Sequence, residues 1–230
     1  MPMLRIRHLL APLLLLATLL PAGSERAGLE AQRTAAERDP VLFIHGWRGD
    51  RGQWRPMLAR FRRDGWADDR LYTWSYDSGQ PNAASAERLA TRVDQILAAT
   101  RAERVDIVTH SLGALPSRYY LKNLRGAGKV DAWVSLGGPN HGTTLAEICF
   151  SAACREMRIH STFLAALNEG DETPGEPRYA TWWSPCDEAI DPDSTVALEG
   201  AANHQTDCLG HLGLLDDPTV YRQLRDFIAR

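Results

Sequence analysis

The stretch from Val105 to Ala114 limits the fold of this chain more than any other. Val105, Ile107 and Val108 are β-branched and apolar, so Val105–Thr109 reads as a buried strand, while Leu112 to about Leu124 reads as a helix. Only His110 and Ser111 lie between the two. A strand that becomes a helix with so short a turn brings the two backbones almost into contact, which demands small residues, and Gly113 supplies one two places after the serine. Such a turn is strained. It lifts the serine hydroxyl to the carboxyl end of a parallel sheet, where the following helix N-terminus favours negative charge. Thr109 stands where the spacing G-x-S-x-G has its first glycine. A serine at the start of a helix is more often a cap, so a chemical role requires partners elsewhere in the chain.

The surrounding pattern is strand and helix in turn. Val41–Ile44 forms a short apolar run, residues 52–64 carry Trp54, Met57, Leu58 and Phe61 at helical spacing, and 71–76 reads as a strand. Residues 85–100 place Leu89, Val93, Ile96 and Leu97 on one helical face, with Ser85 as the expected cap and Glu87 near the start. After a Gly126/Gly128 break, Val130–Leu136 reads as a buried strand, 179–183 and 195–198 as two more, and 220–229 as a closing helix after Asp216-Asp217-Pro218. Alternation of this kind implies right-handed crossovers and an α/β fold: a central, mostly parallel sheet with helices on both faces and a site outside the carboxyl ends of the strands. Residues 145–177 break the alternation with an insertion containing a helix near 161–167. Ile148, Phe150, Phe163 and Leu164 are expected to line a substrate cleft from it.

The ends and the cysteines indicate a compartment. Arg5 and Arg7 precede an apolar run from Leu9 to Leu20 and the small residues Pro21-Ala22-Gly23-Ser24, the pattern of a cleaved signal peptide over 1–24. About a dozen apolar residues fall short of the roughly 20 that a spanning helix needs. Residues 25–39 read as a flexible lead-in and 40–230 as one domain, and the 44% hydrophobic and 24% charged content of the full chain is that of an ordinary globular protein. The formal charge of −3 becomes more acidic by two once Arg5 and Arg7 are removed, which excludes an electrostatic nucleic-acid binder. The chain is expected outside the cytoplasm, in the medium, the periplasm or at the cell surface. All four cysteines follow the signal, so two disulfides are expected. Of three pairings the reading favours Cys149–Cys154, a short local loop, and Cys186–Cys208, which would join two candidate catalytic loops. Zinc ligation lacks the C-x-x-C or H-x-x-x-H spacing it would need, and no metal is expected.

A serine hydroxyl is a weak nucleophile without a base and an orienting carboxylate. His211, flanked by Gly210 and Gly213 between the last strand and the last helix, is the preferred base, with His204 as competitor. The acid should follow the strand ending near Trp183. That favours Asp187, with Asp191, Asp193 and Asp207 as substitutes, and the order serine, acid, histidine is kept. Two backbone N–H groups must also face the developing oxyanion. Leu112, next to the serine, supplies one, and Trp47 in Phe43-Ile44-His45-Gly46-Trp47 supplies the other. Trp47, Phe150, Trp182 and Trp183 are candidates for an apolar acyl pocket. Asp171, Glu172, Glu176 and Asp193 read as a solvated acidic loop rather than a cation site.

These pieces, with Tyr119-Tyr120-Leu121-Lys122-Asn123-Leu124, Leu136-Gly137-Gly138-Pro139-Asn140-His141-Gly142-Thr143 and Gly210-His211-Leu212-Gly213-Leu214-Leu215, resemble the small secreted bacterial lipases and esterases of the α/β-hydrolase fold, the class 2 or minimal triacylglycerol lipase type. The resemblance runs from about Pro40 to the C-terminus. It implies Ser111 as nucleophile, His211 as general base and then acid, Asp187 as orienting carboxylate, and Trp47 and Leu112 as oxyanion donors. No cofactor is implied. The implied function is hydrolysis of acyl esters such as acylglycerols by a monomer that meets lipid only transiently, with little interfacial activation. A polyester or thioester hydrolase with the same residues, or a silent relative that binds lipid or a partner, are the alternatives. The family has alanine or glycine where Thr109 stands, and small relatives lack an insertion as long as 145–177.

Overall fold

The computed structural model describes residues 38–230; the expected signal peptide and most of the lead-in lie outside the described residues. Six strands, β1 (Val41–Ile44), β2 (Leu71–Trp74), β3 (Val105–His110), β4 (Val130–Leu136), β5 (Arg178–Trp183) and β6 (Ala202–Gln205), form one sheet in the order β2-β1-β3-β4-β5-β6. Every neighbouring pair is parallel. The sheet is thus wholly parallel, which completes the expectation of a mostly parallel one.

The strand sequences follow from burial on both faces. In β1 successive side chains point to opposite sides, and all four, Val41, Leu42, Phe43 and Ile44, are buried, so the strand reads as a continuous apolar run. Val41, Phe43, Val108, Val134 and Trp182 face one layer, which holds α1 (Arg55–Arg63) and the closing helix α7 (Pro218–Ile228) through Met57, Phe61, Val220, Tyr221 and Leu224. Leu42, Ile44, Ile107 and Trp133 face the other, where α2 (Asn82–Thr100) and α3 (Ala114–Asn123) bring Leu89, Val93, Ile96, Tyr120 and Leu121. The insertion folds as α4 (Ala152–Glu156) and α5 (Thr162–Asn168) and packs Cys154, Met157, Leu164 and Leu167 onto Leu112 and Leu115. A short helix, α6 (Gly213–Asp216), precedes α7, whose N-terminus is capped by Asp217 Oδ1 accepting from the Thr219 and Val220 amides, with Pro218 in the first turn.

Two expectations are corrected. Residues 195–198 are not a strand: Asp193–Val196 is a 3-10 turn, and the sixth strand lies further on. Its sequence, Ala-Asn-His-Gln, lacks the apolar signal because β6 is an edge strand bonded only to β5 and largely exposed. Ser85 does not cap α2. The helix starts at Asn82, whose backbone N–H and side-chain amide both donate to Glu156 Oε2 at 2.7 and 2.8 Å. A carboxylate 74 positions away in sequence therefore does the work a local cap would do, and Ser85 is buried one turn inside.

The order of strands also fixes where a site can form. The chain leaves β1 to make β2 on one side and returns to make β3 on the other, so the crossovers diverge between β1 and β3. Crevices in open parallel sheets form at the carboxyl ends of strands at such a switch point. Here those ends carry Trp47 and Ser111. Among the described residues no helix is long and apolar enough to cross a membrane.

Candidate active site

Ser111 follows the last residue of β3 directly and has φ 54°, a left-handed conformation that is uncommon for any residue except glycine. The 3-10 turn Ser111–Gly113 then feeds α3. Gly113 is needed for space: a Cβ there would come within 2.8 Å of the carbonyl oxygens of both Ile44 and His45. Gly46 is pressed equally close on the other side, since its missing Cβ would lie 2.6 Å from Ser111 Cβ. The loop after β1 thus runs against the serine, with Trp47 next in sequence. Leu112, in the first turn after the strand, has an N–H of the kind that finds no intrahelical partner. Thr109 is fully buried in β3, and its hydroxyl donates to the Val134 carbonyl at 2.9 Å.

Asp187 and His211 meet across two loops. Asp187, four residues past β5 among turns, lies with Oδ2 2.8 Å from His211 Nδ1, while its Oδ1 accepts from the Ala189 and Ile190 amides at 2.9 and 3.1 Å. The carboxylate side chain is 1% exposed and the imidazole 10%. With one oxygen committed to the loop backbone, the other is held toward the ring. Because a carboxylate only accepts, His211 Nδ1 carries the proton and Nε2 is left free to accept another. The His211 amide in turn donates to Glu188 Oε2 at 2.9 Å. The disulfide Cys186–Cys208, with Cα atoms 4.9 Å apart, joins the residue before Asp187 to the loop that carries His211, and Cys149 pairs with Cys154 in the insertion.

Ser111 and His211 both line a cleft of about 650 Å³ that also takes in Trp47. Its walls differ in character. Arg48, Asp50, Gln53 and Arg55 come from the segment after β1, whereas Leu145, Met157, Ile190 and Leu212 form an apolar side. This corrects the expected lining. Ile148 and Phe150 are 74% and 76% exposed, Leu164 is in the core beneath α3, and Phe163 stacks on Tyr119. Trp182 is fully buried against α7 and His204, and neither Trp183 nor Phe150 lines the cleft.

Three other histidines are engaged elsewhere. His204 lies on β6 against Trp182, and burial lowers its pKa. His45 is bonded to the Gly46 carbonyl through Nδ1 and receives the Tyr76 amide at Nε2. His141 Nε2 lies 2.7 Å from Glu172. The acidic residues of the insertion have partners as well: Glu172 also accepts from the Glu199 amide, Glu176 pairs with Arg104 at 2.9 Å, and Asp171 caps Thr173. Among the described residues no group of three or more His, Cys, Asp or Glu is arranged to hold a metal ion.

One residue at the site stands outside the set reasoned from chemistry. Gly137, at the end of β4, has φ 56°, and a Cβ on it would lie 3.0 Å from Asp187 Oδ2 and 3.2 Å from His211 Cε1. It is what lets the acid and the base settle against the strand end. Its signal in the sequence was the Gly137-Gly138-Pro139 break directly after an apolar run.

Comparison with known proteins agrees with this architecture. The family described as Lipase (class 2) matches residues 38–207, a region that contains Ser111 and Asp187 and stops short of His211. Among solved structures, the mature form of the lipase BlEst2 from Bacillus licheniformis superposes with a TM-score of 0.73 at 15% identity, covering 83% of this chain and 92% of that one. Lipase B from Aspergillus fumigatus gives a TM-score of 0.74 at 18% identity over 84% of this chain, which spans about half (52%) of its length. A Listeria innocua protein gives 0.61 at 14% identity over 83% of this chain and 94% of its own. At these identities the superpositions speak for the fold.

Proposed function

The chain belongs to the class 2 lipase family and is accordingly a lipolytic hydrolase of carboxylic esters; from that premise we propose that it is an exported serine esterase working through an acyl-serine intermediate. The observation that carries the serine mechanism is the 2.8 Å contact of Asp187 with His211 Nδ1, on a ring that lines the same cleft as Ser111.

In this reading His211 Nε2 takes the Ser111 proton as Oγ attacks the ester carbonyl, and the Trp47 and Leu112 amides receive the developing oxyanion, a contact whose loss costs roughly 3 to 4 kcal/mol in comparable sites. Collapse of the tetrahedral species expels the alcohol, which leaves with the proton from His211. Water, deprotonated by the same ring, then attacks the acyl-serine and releases the acid. Asp187 holds the ring in the required tautomer and offsets its positive charge. The apolar side formed by Leu145, Met157, Ile190 and Leu212 suits an acyl chain, and the polar side near Arg55 suits the alcohol portion. Export is supported by the basic and apolar start of the sequence and by two disulfides. The partner is then an acyl-ester or lipid substrate alone, met by a monomer without a cofactor.

The test is hydrolysis of nitrophenyl esters with acyl chains from two to sixteen carbons, beside a matched thioester and a soluble polyester. The expected result is turnover of the oxygen esters with a defined chain-length optimum. Turnover of the thioester or the polyester alone would replace this reading with its enzymatic alternative, and no turnover of any of them would leave the silent binding relative.

A further inference from the structure

The histidine immediately before Ser111 has no part in the mechanism above, yet both of its ring nitrogens face partners. His110 is fully buried at the end of β3, and its ring lies against that of His211 with centroids 4.4 Å apart and an interplanar angle of 42°. Its Nε2 is 3.1 Å from the backbone carbonyl oxygen of His211, and its Nδ1 is 3.4 Å from the side-chain nitrogen of Gln53. Gln53 sits in the 3-10 turn Arg51–Trp54 that follows β1 and, like His110, lines the cleft.

The chemistry of these contacts permits one arrangement of protons. A carbonyl oxygen can only accept, so His110 Nε2 bears the hydrogen and donates it to His211. In a neutral ring Nδ1 is then an acceptor, and the Gln53 amide is the donor that faces it. Three segments remote in sequence are thereby tied in series: the loop after β1, the end of β3, and the loop carrying His211.

Resting on the assignment of Ser111 and His211 as nucleophile and base, we propose that His110 is a positioning residue that straps the His211 loop over the nucleophile, with Gln53 holding its other ring nitrogen. The groups facing His110 are His211, Gln53 and, at longer range, His45, with Asp187 beyond the His211 ring. Burial pushes the His110 pKa down to about 3, so the ring stays neutral where the enzyme works. Neutrality matters because His211 must itself become cationic during turnover, and a second charge 4.4 Å away would oppose it. The strap acts on placement rather than on substrate binding. A displacement of about 1 Å at a reacting group costs about 100-fold in rate, and loss of an outer partner that orients a metal-ligating histidine costs about 10- to 100-fold, the scale expected for an oriented base.

Three variants and one spectroscopic measurement test this. His110→Phe keeps the buried ring and removes the donor: kcat should fall roughly 10- to 100-fold with KM within about twofold. His110→Gln returns an N–H near the position of Nε2 and should recover most of the loss. Gln53→Leu, which spares the core, should lower kcat several-fold. Side-chain 15N spectra should show His110 as the Nε2–H tautomer, unchanged from pH 5 to 9, in the wild type and in Gln53→Leu. Wild-type kcat in His110→Phe, an Nδ1–H tautomer, or equal losses in the Phe and Gln variants accompanied by equal losses of thermal stability would overturn the proposal. If the wild type hydrolyses no ester, the functional reading fails, and the nitrogen spectra still decide whether the strap exists.

Discussion

At the scale of single residues, the site depends on atoms that are absent as much as on those present. Gly113 and Gly46 leave the space in which Ser111 can sit between β1 and its own helix, and Gly137 leaves the space for Asp187 and His211. The role of Asp187 is separable from its place in the loop, because Oδ1 serves the Ala189 and Ile190 amides while Oδ2 faces His211. Asp187→Asn should therefore keep the fold, with its carbonyl oxygen capping the loop, and turn an N–H toward Nδ1. The ring would then be held in the wrong tautomer, a fault that costs about 10⁴ in kcat in serine hydrolases of this design. Kinetics together with a thermal melt check this. A tenfold loss or less, at an unchanged melting temperature, would mean that Asp187 does not orient the base.

At the scale of elements, the positions legible in the sequence were those whose cause is local. The strand Val105–Thr109 and its serine, the Val130–Leu136 run and the Asp217-Pro218 helix start could be read because periodicity, small residues and caps act over a few positions. Where the cause lay far away, reading failed. Asn82 begins α2 because of Glu156, and β6 is a strand because β5 lies beside it. Trp182 and Trp183 resembled pocket residues in composition, but strand pleat and register decide which way they point, and Trp182 points into the layer beneath α7. The cleft wall was missed for the same reason: Leu145 and Met157 reach it by tertiary packing of the insertion, and Leu212 from the loop that carries His211. Among the connections, Cys186–Cys208 closes the longer loop, with a sequence separation of 22 against 5 for Cys149–Cys154. Replacing both Cys186 and Cys208 by serine should destabilise the protein by roughly 2 to 5 kcal/mol and lower activity further than unfolding alone explains, since the bond spans the Asp187 and His211 loops. Chemical denaturation of this variant beside Cys149→Ser/Cys154→Ser checks the ranking; equal stability and activity in the two would contradict it.

At the scale of the whole molecule, burial of ionisable groups sets a pH dependence. Desolvation lowers the pKa of His45 and carries that of His110 to about 3. In the folded state both rings stay neutral, while the unfolded chain binds protons below about 6.5. Their contribution to stability is therefore fully present above that pH and is lost as pH falls toward the folded values. Asp106, buried at the start of β3 and pushed well above the usual carboxylate range, acts in the opposite sense: its contribution is present at low pH and is lost as pH rises through its folded value. Comparison with His110→Phe isolates one ring. The wild type should lose about 2 kcal/mol more than the variant between pH 6.5 and 5, measured by urea unfolding, and parallel profiles would show that burial does not lower the pKa of His110 in the folded protein.

The central claim, that Ser111 is the nucleophile of an ester hydrolase, is tested most directly by reacting the protein with an alkyl phosphonate ester and mapping the adduct by mass spectrometry. The account predicts one phosphonyl group per chain, on Ser111, with ester hydrolysis lost in proportion to labelling, and a Ser111→Ala variant that is neither labelled nor active. An adduct on another residue, or hydrolysis that persists in Ser111→Ala, would contradict it.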